Sequence, residues 1–244
     1  MTSTPTPETV SPRPRRKSTT VQAKTNGSRA AKARNPQART LQRRQAILEA
    51  AMVVFAAHGY RNGSLGEIAD QVGMTHAGVL HHFGSKEQLL VEVLEYRDQA
   101  DVEDLEGHHV PAGTDMLKHL IRTAAQNQER PGIVQTYAVL SAEAVTTDHP
   151  AREWFRSRYA GLRSMIFNAL KDALPSDTTV PDTEIEAATT AIIGMMDGLQ
   201  VQWLLDPSEV DMPTAVELII ESVLARWGIQ FQGNADAGGT AIGR

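Results

Sequence analysis

Residues 64–83 read SLGEIADQVGMTHAGVLHHF, and the fold turns on how this stretch is read. Ser64 with Glu67 three positions on has the form of a capping box, and Leu65, Ile68, Ala69 and Val72 fall at helical spacing as one buried face. Gly73 suits a tight turn after Val72, and Thr75 is placed to cap a second helix running from His76 to about His82. Two short capped helices joined by a three-residue turn containing glycine have the proportions of a helix–turn–helix. In that arrangement the second helix lies in the DNA major groove with its N-terminal residues near base edges. Its outward polar positions are Thr75, His76, His81 and His82, whereas Val79 and Phe83 can pack inward. Ala77 and Gly78 are small enough to let the helix backbone approach DNA closely.

The three histidines invite other chemistries. Two helical ligands for one metal sit at i and i+4, but His81 and His82 are neighbours pointing about 100° apart, and His76 is five and six positions away. No metal is expected. A catalytic histidine needs a nucleophile or an orienting carboxylate, and no such partner, glycine-rich phosphate loop or ligand spacing is legible. Neither an enzyme nor a cofactor is therefore expected. For His82, beside Phe83, filling the small domain is the stronger competing role, and DNA contact fits His76 and His81 best.

Upstream, Leu41, Ile47, Leu48, Ala51, Val54 and Phe55 recur at three and four, predicting a helix from Arg39 to His58 that Gly59 ends. Downstream, Ser85 and Gln88 form a second capping box for a long helix through Leu89, Leu90, Val93 and Leu94 to about Glu106. Helical patterns follow at 115–129, 132–147, 151–174, 183–205 and 213–228, separated by PAGT, ERPG, DHP and DP. Alternating strand patterns are missing. The expected fold is all-α: an N-terminal three-helix helix–turn–helix DNA-binding domain at 38–84 and a C-terminal helical effector-binding and dimerisation domain at 85–230. A disordered basic arm at 1–37 and a flexible tail at 231–244 flank them.

The formal charge of −5 conceals an asymmetry. Residues 1–44 hold 11 of the 24 lysines and arginines and one acid, Glu8; the remainder holds 13 bases and 28 acids. A basic front on an acidic body suits a chain whose leading end meets a polyanion. The chain has no cysteine, which excludes disulfides and cysteine-ligated zinc. No run of about 18 uncharged apolar residues exists to span a membrane, and the N-terminus lacks a secretory core, so a cytoplasmic location is expected.

From Arg43 to Leu94, RRQAILEAAMVVFAAHGYRNGSLGEIADQVGMTHAGVLHHFGSKEQLLVEVL resembles the DNA-binding domain of TetR-type transcriptional repressors. The resemblance rests on F-x-x-x-G-Y closing the first helix, S-L-x-E-I-A-x-x-V-G, the recognition helix M-T-H-A-G-V-L-H-H-F and the trailing S-K-E-x-L. It implies a homodimeric repressor that binds a palindromic double-stranded operator and is released by a small-molecule effector. It further implies that Arg43 or Arg44, Ser64, Thr75, His76 and Lys86 position the domain, with sequence reading on the recognition helix. In one departure, Leu80 stands where many members carry a tyrosine that touches DNA backbone, and His81 is the candidate substitute. An effector-independent architectural DNA-binding protein is the alternative.

For the body, polar residues beside apolar stripes are the candidate effector contacts: His119, Gln126, Ser141, Glu143, Trp154 and Arg158. The competing reading makes them core-edge residues satisfied by neighbours, for instance an Arg158–Glu143 pair. Residues 185–204 and the final helix carry too much apolar surface for one buried stripe, so Met196, Leu199, Trp203, Leu218 and Val223 are expected at a two-fold dimer interface. The segment MDGLQVQWLLDP at 196–207 is similar to the dimerising region of some actinobacterial members of that family.

Overall fold

The computed structural model describes Met1, residues 36–102, residues 112–231 and Gly233. Most of the expected basic arm and tail, and the expected end of the fourth helix near Glu106, lie outside the described residues. Residues Met1–Arg39 and Thr40–Arg244 separate into two units. Of the first, only Met1 and the opening turn of one helix are described.

All described regular structure is helical, in the order α1 (Pro36–Asn62), α2 (Leu65–Gln71), α3 (His76–Phe83), α4 (Lys86–Val102), α5 (Gly113–Gln128), α6 (Pro131–Ala144), α7 (Arg152–Asp172), α8 (Asp182–Leu205) and α9 (Met212–Arg226). Side-chain caps set the starts of the short helices. Ser64 Oγ accepts from Glu67 N at 3.0 Å, Thr75 Oγ1 from Gly78 N at 3.1 Å and Ser85 Oγ from Gln88 N at 3.1 Å. The first capping box is only half closed, because the Glu67 carboxylate pairs with His58 Nε2 at 3.3 Å. Gly73 turns the chain at φ 64°, a conformation that suits glycine.

Two hydrophobic cores form. The first joins Ile47, Val54 and Phe55 of α1 to Ile68 of α2, Val79 and Phe83 of α3, and Leu89, Leu90, Val93 and Leu94 of α4. Tyr137 and Leu140 of α6 and Phe155 of α7 complete it, so the helix–turn–helix head is closed by helices of the body. The second core packs α5, α7, α8 and α9 through residues such as Leu117, Ile166, Leu170, Ile185, Ile192, Val216 and Ile220.

Three sequence expectations shift. Leu41, assigned to the buried face, is exposed, because the buried phase of α1 begins with Ile47. Gly59 does break the helical geometry at φ 71°, but the chain resumes a helical turn through Asn62. Trp203, assigned to a dimer surface, is 5% exposed and sits in the second core of its own chain. The cause is helical phase: Ile185, Thr189, Ile192, Gln200 and Trp203 share the inner face of α8, and Ala187, Ala191, Gly194, Val201 and Leu205 lie outside. Both faces are poor in charge, so composition alone could not separate them.

Trp203→Ala should therefore destabilise the folded chain by about 3–5 kcal/mol in urea unfolding, as truncation of a core aromatic does. A loss below about 1 kcal/mol would return Trp203 to the surface.

Candidate DNA-reading face and effector cavity

The recognition helix α3 divides cleanly. Val79 and Phe83, four residues apart, are buried, while Thr75, His76, Ala77 and His81 are exposed and Gly78, Leu80 and His82 are intermediate. The rings of His81 and His82 meet edge to face at 5.8 Å. Burial pushes the His82 pKa below its ordinary 6.5, and the charges of His81, Arg44 and Arg43 push it further the same way.

Sequence reasoning left Arg43 and Arg44 as alternatives, and the structure separates them. Arg44 donates to the His82 carbonyl and to the Glu92 carboxylate, and its guanidinium lies 4.3 Å over the Phe83 ring. It ties α1, α3 and α4 together. Arg43 is exposed and borders a depression with Gly73, Thr75 and Gly78 at the start of α3. Ser64 is exposed at the head of α2 with its oxygen engaged as a cap. Lys86 lies 4.5 Å over the Tyr60 ring and donates to Arg61 O at 3.4 Å; burial lowers its pKa, against the pull of Glu87 and Glu143.

Glu143 belongs to this junction and not to a ligand pocket. Its carboxylate accepts Tyr60 N–H at 2.6 Å and lies 3.7 Å from Nε2 of buried His149. A Cβ at position 59 would collide with that carboxylate, which gives Gly59 a packing reason beyond its positive φ. The Tyr60 ring meets His149 edge-on at 5.3 Å, and its hydroxyl donates to Glu87 at 2.9 Å. Elsewhere on α6, Gln135 Nε2 donates to Ala56 O at 3.2 Å, and Thr136 Oγ1, which donates to Gly132 O at 2.7 Å, also lies 3.3 Å from Met52 O. α6 therefore meets α1 at Gln135, Thr136 and Glu143.

A cavity of about 120 Å³ lies among α4, α5, α6, α7 and α8. His119 and Arg158, both expected from sequence, line it. Gln126, Ser141, Glu143 and Trp154 do not. Ser141 opens on a surface groove and donates to Ala138 O at 3.0 Å; Trp154 packs edge-on against Phe155 at 5.0 Å. The suggested Arg158–Glu143 pair is replaced by Arg158 Nε with Asp98 at 3.2 Å.

Sequence reasoning missed Arg97, Asp98, Asn127, Tyr137, Asp197 and Gln200. Asp197, a lone charge within an apolar run, was the available signal. Arg97 Nη1 pairs with Asp98 at 3.0 Å and its guanidinium lies 4.3 Å over Tyr137, while Tyr159 OH donates to Asp197 at 2.7 Å. Burial pushes the Asp197 carboxyl up; the Tyr159 hydrogen bond and the two arginines pull it back. The remaining wall is mainly aliphatic, with Met116, Leu120, Leu162, Met165 and Ile193.

A helix–turn–helix head with an open recognition helix, closed by a helical body that holds an internal cavity, defines a class: two-part helical regulators of transcription. Residues 47–93 match the family described as bacterial regulatory proteins, tetR family, and residues 113–227 match the BetI-type transcriptional repressor C-terminal family. The chain belongs to the TetR family of transcriptional regulators.

It is 24% identical over 177 residues to the HTH-type transcriptional regulator AcrR of Shigella flexneri, covering 69% of this chain and 81% of that one. Identity to BetI of Rhizobium meliloti is 28% over 190 residues, covering 75% and 88%. The fold matches SmeT, repressor of the Stenotrophomonas maltophilia multidrug efflux pump SmeDEF, with a TM-score of 0.58 at 19% identity over 75% of this chain and 89% of that one. SmeT is also known as a triclosan complex, matched at a TM-score of 0.58 and 17% identity over 76% and 91%. No helix among the described residues is long and apolar enough to cross a membrane.

The junction makes a pH prediction. Burial, reinforced by the Arg61 charge and opposed by Glu143, lowers the folded pKa of His149 from 6.5. As pH falls through 6.5 the unfolded chain takes up the proton first, so the stability present above 6.5 is lost on acidification. Melting temperature should drop across that window, and His149→Gln should flatten the drop. An unaltered slope would show that His149 does not titrate there.

Proposed function

We propose that the protein is a ligand-released transcriptional repressor that binds a palindromic operator as a homodimer. The observation that carries the reading is the sharing of helices between cavity and head. Arg97 and Asp98 on α4 and Tyr137 on α6 line the cavity; α4 starts directly behind the recognition helix, and α6 is hydrogen-bonded to α1. A molecule seated in the cavity presses on the two helices that hold the head. It releases DNA only if it prefers the DNA-incompetent shape, since equal affinity for both shapes shifts nothing. The triclosan complex of SmeT supports a small-molecule effector for this fold. The hollow itself speaks against an architectural protein with a permanently filled core.

On DNA, α3 enters the major groove with His76, Ala77 and His81 toward base edges, and Thr75, Gly78, Arg43 and Lys86 near phosphates. Arg44 and Ser64 act indirectly, by fixing α3 and capping α2. The dimer forms through the outer faces of α8 and α9, where Val201, Leu205 and Leu218 are 48%, 82% and 64% exposed beside small Gly194 and Gly198. Met196, Leu199 and Val223, expected in that interface, are half-buried against the second core and lie behind it. Exposed aliphatic residues on adjacent long helices call for a covering partner, and a two-fold copy is the usual one.

The test begins by selecting a duplex from random DNA with the purified chain. Compounds that raise its melting temperature are then added to the complex. Expected are a palindromic site and at least one compound that both stabilises the protein and releases the DNA; stabilisers that never release it would leave a DNA-binding protein without an effector.

His81→Ala should cost about 1–3 kcal/mol of operator affinity while stability changes by no more than about 0.5 kcal/mol. Thr75→Ala is a poorer probe, because losing its cap on α3 costs about 1 kcal/mol of stability by itself. Equal losses of affinity and melting in the His81 variant would make that residue structural. Leu205→Arg combined with Leu218→Arg should give a monomer by sedimentation that binds paired half-sites weakly; a variant that remains dimeric would place the interface elsewhere.

A further inference from the structure

Two amides in the cavity are unusual for a finished core. Asn127 on α5 and Gln200 on α8 both line it and are 2% and 7% exposed. Each leaves its carbonyl oxygen, Asn127 Oδ1 and Gln200 Oε1, without a hydrogen-bond donor. Buried polar groups nearly always find partners, so two such acceptors on one hollow mark a place where the donor comes from outside the chain. The same two side chains, with Met196, border a smaller lobe lined by Ala124, Leu199, Met212 and Val216. They stand where the two spaces meet.

The charged part of the wall restricts what can enter. Arg97 and Arg158 are matched in number by Asp98 and Asp197, and three of the four already share close ion pairs. A ligand with net charge would leave one buried charge uncompensated, and burying an unpaired charge is costly. Most other surfaces of the cavity are aliphatic or thioether. Its volume of about 120 Å³, a little below the roughly 150 Å³ of an apolar cavity that holds benzene, limits an occupant to about one ring.

Resting on the reading of this cavity as the effector site, we propose that its ligand is a compact, uncharged, largely apolar molecule of ring size carrying an O–H or N–H group, which it donates to the side-chain oxygen of Asn127 or of Gln200. The amides provide selectivity: an analogue of the same shape without the donor leaves both acceptors unmet and is discriminated against. A ligand there bears on α5 and α8 through the two amides and on α6 through Tyr137.

The test is calorimetric titration of the full chain with para-cresol, its methyl ether, para-toluate and para-methylbenzylammonium. Para-cresol should bind about tenfold more tightly than its ether, the value of one hydrogen bond to a buried acceptor, and more tightly than either ion. Asn127→Leu with Gln200→Leu keeps approximate shape and removes both acceptors; this variant should bind the phenol and the ether equally. If the pair fails to fold, each single replacement should narrow the ratio. Equal binding of phenol and ether by the wild-type chain, tighter binding of either ion, or binding of none of the four overturns the proposal. Para-cresol that binds with the expected preference but leaves the operator occupied at saturation overturns the repressor reading and leaves the ligand class standing.

Discussion

The carboxylate of Glu143 accepts the backbone N–H of Tyr60 and lies where any side chain at position 59 would have to go. This contact unites the last turn of α1 with the C-terminal part of α6. It is a charged acceptor on a backbone donor, stronger than a neutral pair, and it is sheltered by the Tyr60 and His149 rings. Around it, Thr136 and Gln135 repeat the join further up α1, and Tyr137 and Leu140 supply apolar contacts to the first core. The interior of the head, built mainly by α1 to α4, is thus completed by residues of the body. One of the helices that complete it, α6, also places Tyr137 on the cavity.

Arg44 performs the corresponding task inside the head. Its guanidinium reaches a carbonyl on α3 and a carboxylate on α4 while covering Phe83. The recognition helix is thus held at its C-terminal end by a cation and at its N-terminal end by the Thr75 cap. Between those anchors, the exposed side chains His76, Ala77 and His81 rest on a fixed backbone, and such preorganisation favours selective contact over loose association.

Much of this was legible in the sequence for local reasons. The S-x-x-E, M-T-H and S-K-E-Q segments each place a hydroxyl one residue ahead of a helix, and the hydroxyl caps the backbone as the pattern requires. The cavity was less legible, because its wall is assembled from five helices and no local rule relates Asp98 to Arg158 or Asn127 to Gln200. Glu143 looked like a ligand contact since it sits on an apolar helix, but its neighbour in space is 83 residues away. Trp203 was misplaced for a different reason. When both faces of a helix are apolar, periodicity identifies the helix but not which face is inner.

The outer face of α8 has a further implication. Its middle carries Gly194 and Gly198, against whose absent side chains nothing presses, and its C-terminal end carries Val201 and Leu205. Such a profile is waisted: a second rod laid against it approaches most nearly at the glycines and is propped away at the aliphatic end. Contact concentrated at one place gives a fulcrum. Two long rods crossed at a fulcrum behave as scissors, in which a rotation too small to disturb packing at the crossing becomes a visible displacement at the tips.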